Sequence, residues 1–227
     1  MKVILVGSTL SPPLAHKMKR LERIATALSK GGCEAHICVV GSKSDLQHIL
    51  EAEKPQLVFS VDYYLRDELT QARLNIHQLL EEWGIPYVGS SAQVLELVIA
   101  KAALKRKWQR EGVATPPFFN VRRVGERLLG WHYVRSAQAF PYILKPNREG
   151  NSRGLSSNSV VFDKRTLSSR LRAMLADYVD ILVEEYVGNA PDLREFTVAM
   201  MGNGVQALYL PVELVLKEKR YPRLITT

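Results

Sequence analysis

The sequence predicts an α/β fold, an N-terminal domain built on a parallel sheet followed by an α+β unit, and three observations carry that reading. From Lys2 to about Val88, short apolar runs alternate with helical periods, the pattern of a parallel sheet wrapped by helices. In the second half, one strong helical period, Lys164 to Tyr178, is enclosed by apolar segments. Near the end, Gly202-Asn203-Gly204 separates two strand-like runs as a hairpin turn would.

Taken in order, Lys2 to Val6 is a candidate buried strand. Leu14, Met18, Leu21, Ala25 and Leu28 then share a helical face that stops at Gly31-Gly32. A strand over Glu34 to Val40, a helix over Asp45 to Glu53 and a third strand over Leu57 to Val61 follow. Leu69, Ala72, Ile76, Leu79 and Trp83 mark a longer helix ending at Gly84, and Ile85 to Val88 returns to the sheet. Ser90-Ser91-Ala92-Gln93 reads as a capping box that opens a helix, which sets the first domain boundary near Ser90. A second helix carries Lys101 to Glu111 before Gly112 and the breakers Pro116-Pro117. Arg122 to Phe140 has no clear period. Apolar segments at Tyr142 to Leu144, Ser159 to Phe162 and Ile181 to Val183 then flank the helix whose Leu167, Leu171, Met174, Leu175 and Tyr178 share a face. Glu195 to Met201 and Gln206 to Leu210 form the final strand pair.

At 227 residues and 46% hydrophobic, the chain can bury a sizeable core as one large or two small domains. Its start lacks the apolar stretch and cleavage site of a leader, and its apolar runs are too short to span a bilayer, so a cytoplasmic protein without a membrane partner is expected. Cys33 and Cys38 are too few for a disulfide framework and are expected to be buried, reduced thiols. His16, His36, His48, His77 and His132 make no metal-ligand spacing. The formal charge of +8 is spread over several helices, with one cluster from Lys101 to Arg110 and no basic-aromatic motif. That distribution fits an anionic small molecule better than a nucleic acid.

The segment with the most chemistry is Tyr142-Ile143-Leu144-Lys145-Pro146-Asn147-Arg148-Glu149-Gly150-Asn151-Ser152-Arg153-Gly154-Leu155. A strand delivers a lysine, and a loop with glycine at both ends lets backbone N–H groups approach an anion. Spacing alone leaves an ordinary hairpin with a solvated lysine equally open.

This stretch resembles the lysine-proline strand and serine-rich phosphate loop of the D-alanine-D-alanine ligases, a branch of the ATP-grasp superfamily. The likeness extends to Gly84-Ile85-Pro86-Tyr87-Val88-Gly89-Ser90, to Lys101, to Gly112-Val113-Ala114-Thr115-Pro116, to Val183-Glu184-Glu185-Tyr186-Val187-Gly188 and to Arg194-Glu195-Phe196-Thr197-Val198. It implies an ATP-grasp architecture: an N-terminal α/β domain over 1–90, a lid subdomain over 91–187, and the start of the C-terminal subdomain over 188–227. It implies ATP with Mg²⁺ and a reaction that activates a carboxylate as an acyl phosphate for attack by an amine. Lys101 and Lys145 would contact the phosphates. Gly150, Asn151, Ser152 and Gly154 would close over the γ-phosphate. Glu184 with the backbone of Tyr186 and Val187 would read adenine, and Glu195 would take the ribose hydroxyls. A solvated helix surface shared with Lys105, Arg106, Lys107 and Arg110 remains the other reading of Lys101. The choice between Glu184 and Glu185 stays open, since a strand sends only one of them to the nucleotide side.

The chain departs from the family pattern in several places. The loop reads Gly150-Asn151-Ser152-Arg153-Gly154 where the family has Gly-Ser-Ser-Val-Gly, and Ala100 stands where an Asp precedes the first lysine. Ser8-Thr9-Leu10-Ser11-Pro12-Pro13 and Asp62-Tyr63-Tyr64-Leu65-Arg66-Asp67-Glu68 replace the family's substrate-binding signatures, so another amino acid or small carboxylate is expected in place of D-alanine. The family's catalytic arginine and magnesium ligands lie in a final segment without a counterpart here; Glu213 and Glu218 do not resemble that set. Catalytic residues are thus expected beyond residue 227, with no metal ligand within the chain, and this chain by itself is expected to be inactive. The competing reading is a nucleotide-binding module or truncated pseudoenzyme without ligase activity. The resemblance also implies a homodimer through the first domain.

Overall fold

In the computed structural model, which describes residues 1–10, 14–150, 152–189 and 193–215, β1 (Lys2–Ser8) opens the chain as a buried strand. Val3, Ile4, Leu5 and Val6 are fully buried, as their unbroken apolar run predicts for the centre of a parallel sheet. Around it lie β2 (Glu34–Val40), β3 (Leu57–Ser60) and β6 (Tyr87–Val88), all parallel, in the order β2-β1-β3-β6. The crossovers include α1 (Leu14–Lys30) and α2 (Lys43–Glu53). α2 starts at a capping box in which Ser42 Oγ accepts from Asp45 N and Asp45 reaches back to Ser42 N.

The long helix expected over Leu69 to Trp83 does not form. Tyr64–Arg66 (β4) and Arg73–Asn75 (β5) pair antiparallel, and only Ile76–Glu82 (α3) is helical. The cause is local side-chain capture: Asp67 Oδ1 accepts from Leu69 N, Thr70 N and Thr70 Oγ1, and this turn outcompetes the helical ladder. Leu69, the first residue of the supposed apolar stripe, is 94% exposed. Asn75 Oδ1 then caps α3 through His77 N and Gln78 N. In place of the capping box expected from Ser90 to Gln93, a one-way cap forms at the next serine. Ser91 Oγ accepts from Val94 N, with Leu95 N on the Ser91 carbonyl, at the start of α4 (Ala92–Ile99).

The chain divides into two compact units, Met1–Glu96 and Leu97–Thr227. The second unit begins with α5 (Lys101–Arg110) and a five-stranded sheet in the order β10-β9-β11-β7-β8. Its strands are β7 (Phe118–Val124), β8 (Arg127–Leu129), β9 (Tyr142–Pro146), β10 (Val160–Val161) and β11 (Asp180–Glu185), with antiparallel pairing throughout. The segment Arg122 to Phe140, aperiodic in sequence, is ordered: it holds the end of β7, all of β8, and α6 (Trp131–Ser136). α7 (Lys164–Asp177) buries Leu167, Leu171, Met174 and Leu175 against one sheet face, with Leu144, Val161, Ile181 and Val183 beneath and Tyr178 packed at the margin. β12 (Phe196–Met201) and β13 (Leu208–Glu213) form a separate exposed hairpin, registered from Phe196 opposite Glu213 to Met201 opposite Leu208.

Both cysteines are free and half-buried, and burial raises the Cys38 thiol above its ordinary range. Among the described residues, no helix is long and apolar enough to cross a membrane.

The turn from β8 into α6 depends on Gly130, whose φ is 83° and where a Cβ would lie 2.2 Å from the Asn120 carbonyl oxygen. Gly130→Ala is expected to destabilise the protein by at least about 2 kcal/mol, through both left-handed strain and the backbone clash. Urea denaturation would measure it, and a loss within about 0.5 kcal/mol, typical of a neutral surface change, would contradict this account of the turn.

Candidate functional site

β9 and β11 pair so that Ile143 lies opposite Glu184 and Lys145 opposite Leu182. Alternation along a strand then puts Ile143, Lys145, Leu182 and Glu184 on one face and the α7 core on the other. The two glutamates therefore fall on opposite faces of the sheet. Glu184 is buried on the lysine face, whereas Glu185 lines a cavity of about 330 Å³ with Phe119, Tyr133 and Tyr142.

Three lysines converge on this face. Lys145 Nζ forms an ion pair with Glu184 Oε1, and Lys105 Nζ pairs with Glu184 Oε2 at 2.9 Å while also donating to Thr115 Oγ1. Lys101 Nζ donates to the carbonyls of Pro146, at 3.1 Å, and Glu149, the stem of the glycine loop. Burial lowers the Lys101 pKa and the nearby Lys145 charge lowers it further, against weaker opposition from Glu149 and Glu184. A phosphate placed there would oppose both effects by favouring the charged ammonium. For Glu184, burial acts to raise the carboxyl, but Lys145 and Lys105 together outweigh it and hold the group below its ordinary value. The three ammonium groups outnumber the Glu184 and Glu149 carboxylates near them, which suits a polyanion.

α5 is seated by the end of β9. Ala100, in the N-cap position, provides no side-chain cap. Asn147 replaces it from across the fold: its carbonyl accepts from Lys101 N at 3.1 Å and its Oδ1 from Ala102 N at 2.8 Å. Asn147 Nδ2 in turn donates to Asp180 Oδ2 at 2.8 Å, which ties the arrangement to the start of β11.

In the glycine loop, Arg153 N donates to the Gly150 carbonyl and Leu155 N to the Ser152 carbonyl. Gly154, at φ 76°, passes so close to the sheet that a Cβ would lie 2.5 Å from Pro146 Cγ and 3.0 Å from the Tyr178 hydroxyl. Ser152 also has positive φ, 55°. Asn151 lies outside the described residues.

Tyr186 N donates to the Pro141 carbonyl at 2.9 Å, so its N–H is engaged within the protein. Lys105, grouped with a solvated surface by sequence, is buried. Its signal was available, since it sits one turn after Lys101 on the same helix face. Glu195 is exposed at the entry to β12, on a different sheet from Lys145 and Glu184, with its carbonyl accepting from Leu214 N. Val187 begins a short 3₁₀ turn directly after Tyr186 and is exposed.

A family model described as D-ala D-ala ligase C-terminus matches residues 107–222. The D-alanine-D-alanine ligase of Ralstonia pickettii is 31% identical over 147 residues, which cover 64% of this chain and 41% of that protein. The one from Bordetella pertussis is 29% identical over 195 residues, covering 82% of this chain and 54% of that protein. The first of these shows the scale: this chain spans about two-fifths of its length. Among solved structures, the fold matches D-alanine-D-alanine ligase from Bacillus anthracis at a TM-score of 0.63 and 20% identity, covering 96% of this chain and 72% of that one. A structure of the same enzyme complexed with ATP matches at 0.61 and 18%, covering 95% and 72%. D-alanyl-alanine synthetase A from Vibrio cholerae matches at 0.68 and 16%, covering 96% and 68%.

The ion pairs make stability pH-dependent in a definite sense. Because the folded pKa of Glu184 lies below its ordinary 4.5, its contribution is fully present above that value and is lost as pH falls through the folded pKa. Glu184→Gln is therefore expected to cost about 3 kcal/mol at neutral pH, leaving Lys105 buried without its counter-charge. The gap from wild type should narrow as the solution is acidified below 4.5, where the wild-type carboxyl also becomes neutral. Denaturant titrations at a series of pH values test this; a gap that is constant or widens on acidification contradicts it.

Proposed function

Because this chain belongs to the D-alanine-D-alanine ligase family within the ATP-grasp superfamily, we propose that its positive sheet face binds ATP for the ATP-dependent joining of a carboxylate to an amine. The observation that carries the proposal is the convergence of Lys101, Lys145 and Lys105 on the Glu184 face, beside a glycine loop pressed against Pro146. The charge of the second unit supports it. Leu97–Thr227 holds 21 of the 31 lysines and arginines but only 12 of the 23 acidic residues, so the cationic excess lies in the unit with the site.

In this reading, Lys101 and Lys145 neutralise phosphate charge, and Ser152 with the backbone of the Gly150 to Gly154 loop holds the γ-phosphate and excludes water. Glu184 accepts from the exocyclic amine of adenine, the backbone N–H of Val187 binds the ring edge, and Glu195 takes the ribose hydroxyls. The substrate carboxylate attacks the γ-phosphorus, ADP leaves, and the acyl phosphate loses inorganic phosphate when the amine attacks the acyl carbon. The chain supplies positioning and charge. Among the described residues, no three His, Cys, Asp or Glu side chains are grouped to hold a metal, so none is assigned to magnesium.

A substrate other than D-alanine fits the first unit. Asp62, the acidic group following β3, is bound to Lys17 Nζ at 2.7 Å and to Ser8 N at 2.6 Å at the C-terminal ends of β1 and β3. Ligands of open parallel sheets bind at such strand ends. With Asp62 paired in this way, it is not available as a lone carboxylate for an ammonium group.

Calorimetric titration of ATP with Mg²⁺ into wild type and Lys145→Ala tests the site. Wild type is expected to bind, and the variant to bind at least about tenfold more weakly, the loss of one charge-assisted contact. Lys145→Arg should also weaken binding, because a planar fork does not replace a point charge. Equal affinity for wild type and Lys145→Ala would remove Lys145 from the site. Nucleotide binding without phosphate release in any mixture of amino acids would favour a binding module over a ligase.

A further inference from the structure

Glu184 has two counter-ions that differ in how far they can move. Its side chain is 9% exposed, that of Lys105 is 7% and that of Lys145 is 27%. Lys105 is enclosed: its ammonium is held by Glu184 Oε2 and Thr115 Oγ1 and lies 5.2 Å above the Phe118 ring. Lys145 is the accessible member and projects from β9 five residues before Gly150.

The two roles proposed for Lys145 and Glu184 make conflicting demands on the pair. If Lys145 turns toward a phosphate while Glu184 had no other cation, a buried carboxylate would be left uncompensated, a strongly unfavourable state. Lys105 prevents that state, since it remains on the second carboxylate oxygen whichever way Lys145 points. From this geometry we propose that Lys105 is a positioning residue: it keeps Glu184 ionised and fixed, so that Lys145 can be transferred from Glu184 to a nucleotide phosphate. This inference rests on the nucleotide reading of the site and adds to it a residue without a proposed nucleotide contact.

The inference separates from a purely structural role because it concerns the phosphate-dependent part of affinity. A structural role for Lys105 would weaken adenosine and ADP alike. The transfer role weakens ADP selectively, because in Lys105→Met the one ammonium left in direct contact with Glu184 among the described residues is that of Lys145, which is then retained by the carboxylate. Calorimetric affinities of adenosine and ADP would be measured for wild type, Lys105→Met, Lys105→Arg and the double variant Lys105→Met/Glu184→Gln. The ratio of ADP to adenosine affinity is expected to fall about tenfold or more in Lys105→Met, the scale of one charged hydrogen bond. In the double variant it should return to within about threefold of wild type, since no carboxylate remains to hold Lys145, a coupling that only directly interacting residues show. Lys105→Arg, which keeps the charge, should retain most of the ratio. The double variant removes both charges and keeps the test readable if Lys105→Met fails to fold. Equal losses for adenosine and ADP, or a double variant that stays as low as Lys105→Met, would overturn the inference. A wild-type protein that binds ADP no better than adenosine would instead overturn the nucleotide reading beneath it.

Discussion

A carboxylate buried in a sheet is stable only where cations reach it, and the second unit is arranged around that requirement at Glu184. β11 carries Glu184, β9 brings Lys145 to one of its oxygens, and α5 brings Lys105 to the other. Three elements far apart in sequence thus share one electrostatic centre. Moving any of them would separate charges that burial makes costly to separate.

The surrounding polar groups follow from the same constraint. α5 must point its lysines at the sheet face, yet its N-cap position holds Ala100, which has nothing to bind the first helical N–H groups. Asn147 binds Lys101 N and Ala102 N from the end of β9 and is fixed by Asp180 at the start of β11. The opposite face of the sheet is satisfied by apolar packing against α7, so the two faces divide cleanly between stability and charge. The glycine loop follows the end of β9 at Pro146 within a few residues, and Gly154 brings it back against Pro146. Apart from Lys101 on α5, the proposed phosphate contacts therefore come from one continuous segment whose position is set by the sheet.

Much of this was legible in the sequence because it is encoded locally. The apolar runs of β1 and β9 and the apolar face of α7 each report burial locally, and Gly154 in the loop from Gly150 announces a close backbone approach. What was not legible depends on partners distant in sequence or on competing local bonds. Asp67 turned an apparent helical period into a hairpin because its side chain captured Leu69 and Thr70. Asn75 before Ile76 was a readable cap that the apparent apolar stripe obscured. Lys105 resembled its solvated neighbours Arg106 and Lys107 until Glu184 was placed beside it. The engagement of Tyr186 N with Pro141 O requires β9 and the end of β11 to be adjacent, which no local pattern states.

The most direct test of the central claim is a crystal structure of the protein with ADP bound. The expected result is nucleotide on the Ile143, Lys145 and Glu184 face of the five-stranded sheet, with Lys145 Nζ on a phosphate oxygen and Lys105 still on Glu184. ADP bound elsewhere, with Lys145 and Lys105 both remaining on Glu184, would contradict the assignment of this face as the nucleotide site.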